Sequence, residues 1–164
     1  MRAAAFALCA IWLLGCGYKP IEHYTKEALG DKIFVDVIIP LSDPQSAPVL
    51  IDTVREAIVV KFGRSLVSRE QANTVITVKS GVYSLDSLQK DRDGFTTMYR
   101  SGVQMSVIVR NEKLRDETFE IHGVHDFGVE PSAVLSESIR QNAVKEATLK
   151  ALDALISKLV MLGR

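Results

Sequence analysis

Three groups of side chains in this sequence have the types and spacing to do chemistry. "HGVH" at His122 to His125, followed by Asp126, offers two imidazoles and a carboxylate, which are donors that zinc accepts. "DRDG" at Asp91 to Gly94 holds part of a calcium-loop pattern. Cys16 stands between glycines at the end of an apolar run, open to a role as core residue, disulfide partner, nucleophile or point of attachment.

Spacing decides against the first two. On a strand, residues three apart point to opposite faces, so His122 and His125 cannot share one ion. Asp126 shares a face with His122 but lies about 13 Å along it, at roughly 3.3 Å per residue. Strand-surface histidines are the expectation. The Asp91–Gly94 run lacks the other ligands and the closing Glu of a calcium loop, whereas Asp-Gly is a strong hairpin signal. Ser65, in "GRSLV", lacks the flanking glycine of a nucleophile elbow, and no glycine-rich phosphate loop occurs. The chain therefore reads as a protein without catalytic residues, metal or cofactor.

Cys16 is different because of what precedes it. Arg2 is the only charge before an apolar run from Ala3 to Leu14, and a small residue, Gly15, stands just ahead of the cysteine. Basic start, short apolar stretch and small residue at the cut are the parts of a secretory signal peptide. The run is shorter than the ~20 residues a spanning helix needs. "LLGC" resembles the lipobox of bacterial lipoproteins. That resemblance implies a diacylglycerol on the Cys16 sulfur, cleavage before the cysteine, and acylation of the new amine by a chain such as palmitate. Cys9 cannot compete, since Leu8 is too large for the cut. Two or three acyl chains make a stable anchor where one, at about 0.8 kcal/mol per methylene, is marginal. The residues after the cysteine are Gly17 and Tyr18 rather than Asp, which by resemblance to enterobacterial sorting favours the outer membrane.

The expected organisation is a removed leader at residues 1–15, a lipidated cysteine and tether at 16–31, and a single domain at 32–164, long enough for a real core. Without Arg2, 19 basic side chains face 20 acidic ones, a balance that offers nothing to nucleic acid. With Cys16 lipidated and Cys9 removed, no cysteine is left for a disulfide.

The elements that must carry any function follow from periodicity. "KIFVDVII", Lys32 to Ile39, alternates as a strand with Ile33, Val35, Val37 and Ile39 on one face. "SAPVLIDTVREAIVVKFG" reads as a helix, with Pro48 in its first turn, Gly63 at its end, and Leu50, Val54, Ala57, Ile58 and Phe62 on one side. A second strand runs from Thr74 to about Leu85, with Ile76, Val78 and Val82 alternating and Gly81 marking a bulge before Tyr83 and Leu85. "KDRDGF", Lys90 to Phe95, turns the chain into a third strand with Val103, Met105, Val107 and Val109 facing one way and Gln104, Ser106 and Arg110 the other. A fourth strand near Glu117 to Phe127 has Phe119 and Ile121 inward. The last helix starts between Ser132 and Glu137 and ends near Leu162, striped by Ile139, Ala143, Ala147, Leu152, Leu155, Ile156 and Leu159. The order β-α-β-β-β-α predicts a two-layer α+β sandwich, both helices on one face of a four-stranded mixed sheet.

"GCGYKP", "LGDKIFVDV" followed by "APVLIDTVREAIVVKFG", "LVSREQANTVITVK" and the closing "ALDALISKL" form an ordered set along almost the whole mature chain. In that set the sequence resembles the LptE family of lipopolysaccharide-assembly lipoproteins, in the divergent branch of Campylobacter-like bacteria. The resemblance implies two helices on a four-stranded sheet and a non-enzymatic role. It implies the LptD β-barrel as partner, which the domain plugs and helps assemble, and lipopolysaccharide as cargo at the periplasmic side of the outer membrane. The family's lipopolysaccharide contacts are basic loop residues, and Lys90 and Arg92 at the hairpin tip are the nearest analogues. Two other expectations remain: an auxiliary lipoprotein of a lipid-transport ABC system, and a lipid-anchored envelope hydrolase, which needs a clustered nucleophile and base.

Overall fold

Alternation in the first strand, β1 (Lys32–Ile38), buries Ile33 and Val35 on the side where the chain next lays a helix. The computed structural model describes residues 29–39, 47–63, 65–111, 114–130 and 134–162. The leader and Cys16 lie outside these residues. Helix α1 (Ala47–Phe62) buries Leu50, Thr53, Val54, Ala57, Ile58 and Phe62, at the helical spacing expected of an amphipathic helix. Four strands follow, β2 (Ser65–Leu66), β3 (Thr74–Lys90), β4 (Thr96–Asn111) and β5 (Leu114–Gly128), and after them helix α2 (Glu137–Leu162). Ser136 opens α2, its hydroxyl accepting from the Ile139 amide at 3.4 Å.

The class is α+β in two layers, but the sheet has five strands rather than four, in the order β2-β1-β3-β4-β5. The extra strand, β2, is only Ser65–Leu66 and pairs parallel to β1 through Lys32 and Ile33. Two residues are too few to display a period, so backbone pairing alone defines it. A short 3₁₀ turn at Arg69–Gln71 leads from there to β3. β1 and β3 are parallel neighbours joined through α1, while β3, β4 and β5 run antiparallel.

Both helices contribute to one core with the sheet. Val103, Met105, Val107 and Val109 of β4 and Ile121 of β5 meet Ala147, Ala151, Leu152 and Leu155 of α2 and the apolar side of α1. Each fully buried Leu, Ile or Phe there contributes about 1.5–3 kcal/mol. The α2 stripe begins at Ala143 rather than Ile139, which is 38% exposed. The helix lies so close to β5 that a Cβ on Gly123 would fall within 3.0 Å of the Ala147 carbonyl oxygen and the Ala151 nitrogen. Lys61 with Asp153 (2.6 Å) and Lys145 with Glu56 (3.3 Å) tie the solvent sides of the two helices together.

Leu29, assigned to the tether by sequence, is fully buried in this core, and its carbonyl accepts the Thr74 hydroxyl at 2.5 Å. Asn111 Nδ2 in turn donates to the Thr74 Oγ1 at 2.7 Å. The bulge at Gly81 is real: the β3–β4 register shifts between Ser80 and Tyr83. It turns Val82, expected inward, out to 62% exposure and brings Tyr83 back over the core.

Candidate functional site

The two halves of the sheet are treated differently. The helices cover one face; on the other, Gln104, Arg110, Glu120, His122 and Val124 stand exposed among half-buried Ser106 and Ile108. β3 and β4 also continue as a hairpin to Lys90 and Thr96. The tip is closed by its own chemistry. Asp91 N donates to Phe95 O at 2.9 Å, and Gly94 N to Asp91 O at 3.2 Å. Asp91 Oδ1 accepts from the amides of Asp93 (3.0 Å) and Phe95 (2.8 Å). Gly94 has φ +90°, which only glycine adopts without strain.

That use of Asp91 changes the electrostatics of the tip. Lys90, Arg92 and Asp93 are exposed, and among the described residues neither cation forms an ion pair. The Asp91 carboxylate is turned into the loop. Phe95 beside them is 51% exposed, and Leu88 and Met98 present further apolar surface close by. Two free cations next to an exposed ring can take a phosphate and an apolar group together.

On the open face the strands carry a charge ladder that sequence separation concealed. Register places Asp86 opposite Arg100 and Arg100 opposite Asp126. Arg100 donates twice to Asp126, Nε to Oδ1 and Nη2 to Oδ2, both at 2.7 Å. The hydrogen bond from Arg100 holds the Asp126 carboxyl below the usual carboxylate range, and the same bond raises the guanidinium. Both side chains are solvated, so the pair orients strands more than it stabilises them.

His122 and His125 fall on opposite faces, as strand geometry requires. His122 is exposed on the open side, while His125 is half-buried on the helix side and stacks on Phe127 at 6.1 Å. Asp126 is engaged by Arg100. Among the described residues no three His, Cys, Asp or Glu side chains gather where a metal could sit. Register does bring Ser101 opposite His125, a pairing that single-strand patterns cannot reveal. The Ser101 hydroxyl is buried and makes no hydrogen bond among the described residues, so the pair lacks the bond of a nucleophile to its base. Arg55 and Glu56 are exposed on α1. No described helix is long and apolar enough to cross a membrane.

Solved structures resemble this arrangement at low sequence identity. Rare lipoprotein B from Shewanella oneidensis superposes with a TM-score of 0.51 at 18% identity, covering 80% of this chain and 99% of that one. The chain shares its fold with bacterial lipoproteins. A lipoprotein from Caulobacter crescentus gives a TM-score of 0.50 at 7% identity over 87% of this chain and 95% of its own. A Xanthomonas campestris protein of the family model DUF330 gives 0.53 at 9% identity over 81% and 85%. No family model and no curated protein matches the sequence.

Proposed function

We propose that this chain is a lipoprotein anchored through Cys16 on the periplasmic side of the outer membrane. In this reading it partners the LptD β-barrel as plug and assembly factor, and assists lipopolysaccharide transport to the cell surface without catalysing a reaction. The observation that carries the reading is the division of the domain. Two helices complete the core on one face, leaving the other sheet face and a projecting hairpin with free Lys90, Arg92 and Phe95 for a partner and an anionic amphiphile.

Three further points support it: the lipobox resemblance at "LLGC", the ordered resemblance to the LptE family, and a fold shared with rare lipoprotein B. The test is affinity purification of the full chain, tagged at its C-terminus, from cross-linked membranes. Recovery of the LptD barrel is the expected outcome. Recovery of an ABC-type lipid transporter instead would transfer the same anchor and fold to the transport-auxiliary reading, and loss of surface lipopolysaccharide on depletion would accompany only the first.

A further inference from the structure

Between the end of β5 and the first turns of α2 lies a cleft of about 310 Å³ that the hairpin tip does not share. His125 and Phe127 of β5 form one side, and Ser138 and Asn142 of α2 the other. Phe127 stacks with Tyr99, at 5.7 Å between centroids, and with His125, at 6.1 Å, with ring planes 19° and 11° apart. Beside His125 across the β4–β5 ladder is the buried Ser101, whose hydroxyl finds no partner among the described residues.

We propose that this cleft binds a neutral saccharide. Its lining holds the Phe127 and His125 rings, the Asn142 amide and the Ser138 hydroxyl but no lysine, arginine or carboxylate, so it offers no charged side chain to a phosphate or a cation. An acyl chain would match Phe127 and Ile139 but would strand Asn142 and His125 against hydrocarbon, where unpaired polar groups are unfavourable. A sugar ring satisfies both sets. Its C–H groups pack against Phe127 and Ile139, and its hydroxyls exchange hydrogen bonds with the Asn142 amide, the Ser138 hydroxyl and the His125 ring nitrogens. The volume, at the small end of ligand sites, suits one or two rings. The inference rests on the cleft alone and stands or falls separately from the barrel partnership.

The test uses the full chain, isotope-labelled, in a detergent without a sugar headgroup, titrated with maltotriose while amide resonances are followed. Saturable shifts centred on His125, Gly128, Ser138 and Asn142 are expected. Phe127→Leu, which keeps apolar bulk but removes the ring, is expected to weaken binding about tenfold. Asn142→Ala, at an exposed helix position, is expected to do the same without lowering the melting temperature. The absence of saturable shifts, shifts confined to the hairpin tip, an equal response to hexanediol, or full affinity in both variants would each overturn the proposal.

Discussion

Adding one methyl group at Gly123 probes how tightly α2 is seated on the sheet. In the middle of a strand, Gly→Ala is ordinarily neutral or stabilising by about 0.5–1 kcal/mol, because the unfolded chain loses freedom. Here the new Cβ would meet the Ala147 carbonyl oxygen and the Ala151 nitrogen, both inside the 3.0 Å that real Cβ atoms respect. These are backbone atoms, so no rotamer can yield; the helix must shift away from β5, loosening Leu152 and Leu155 in the core. Overpacking costs roughly 1–3 kcal/mol, and a backbone clash belongs at the top of that range. At about 4 °C per kcal/mol for a domain of this size, Gly123→Ala is expected to melt about 12 °C below the parent. Gly102→Ala is the control, since its Cβ would crowd the Ser84 hydroxyl, at 2.7 Å, which can rotate away, and would otherwise make ordinary contacts. Thermal unfolding by circular dichroism reads both. A Gly123→Ala variant melting with the parent or with Gly102→Ala would refute the close seating of α2.

Four other perturbations test separate parts of the account. Cys16→Ser is expected to abolish incorporation of labelled fatty acid and to leave an unprocessed precursor, seen by autoradiography and gel mobility. Val107→Asp, fully buried opposite α2, is expected to cost several kcal/mol, while Ser106→Asp on the open face leaves the melting curve nearly unchanged; equal losses would mean the faces are reversed. Changing Lys90 and Arg92 together to Ser is expected to lower lipopolysaccharide affinity about tenfold and flatten its salt dependence without lowering the melting temperature, and unchanged binding at two salt concentrations would reduce the tip to a solvated turn. Asp126 contributes stability present above its unfolded value near 3.8 and lost as pH falls through its depressed folded value, so any melting difference between the parent and Asp126→Asn should vanish toward about pH 2 and not toward pH 9.

Much of the fold was legible because it is written in local periods. Strand alternation identified Ile33, Val35, Val103, Met105, Val107 and Val109 as core, the 3.6-residue period identified the buried side of α1, and Asp-Gly placed the hairpin turn at its observed position. Asp91 was legible as a turn residue, but its capture by two backbone amides, which leaves Lys90 and Arg92 without a partner in the turn, was not. The apolar run, Gly15 and Cys16 are likewise a local pattern, and the expectation of an anchor rests on that pattern alone.

Tertiary structure decided what depends on register and on contact between distant segments. β2 exists only because β1 offers its edge to two residues. Arg100 and Asp126 meet, as do Ser101 and His125 or Tyr99 and Phe127, only because β4 and β5 pair in one register, and a slip of one residue would send each pair to opposite faces. Gly123 has no reason to be glycine within its own strand; the helix that forbids a side chain there arrives more than twenty residues later in the chain. Periodicity records which face of an element is apolar, because each residue's burial repeats along that element. Which neighbour fills that face, and how closely, is a property of two elements at once and becomes determinate only when they pack.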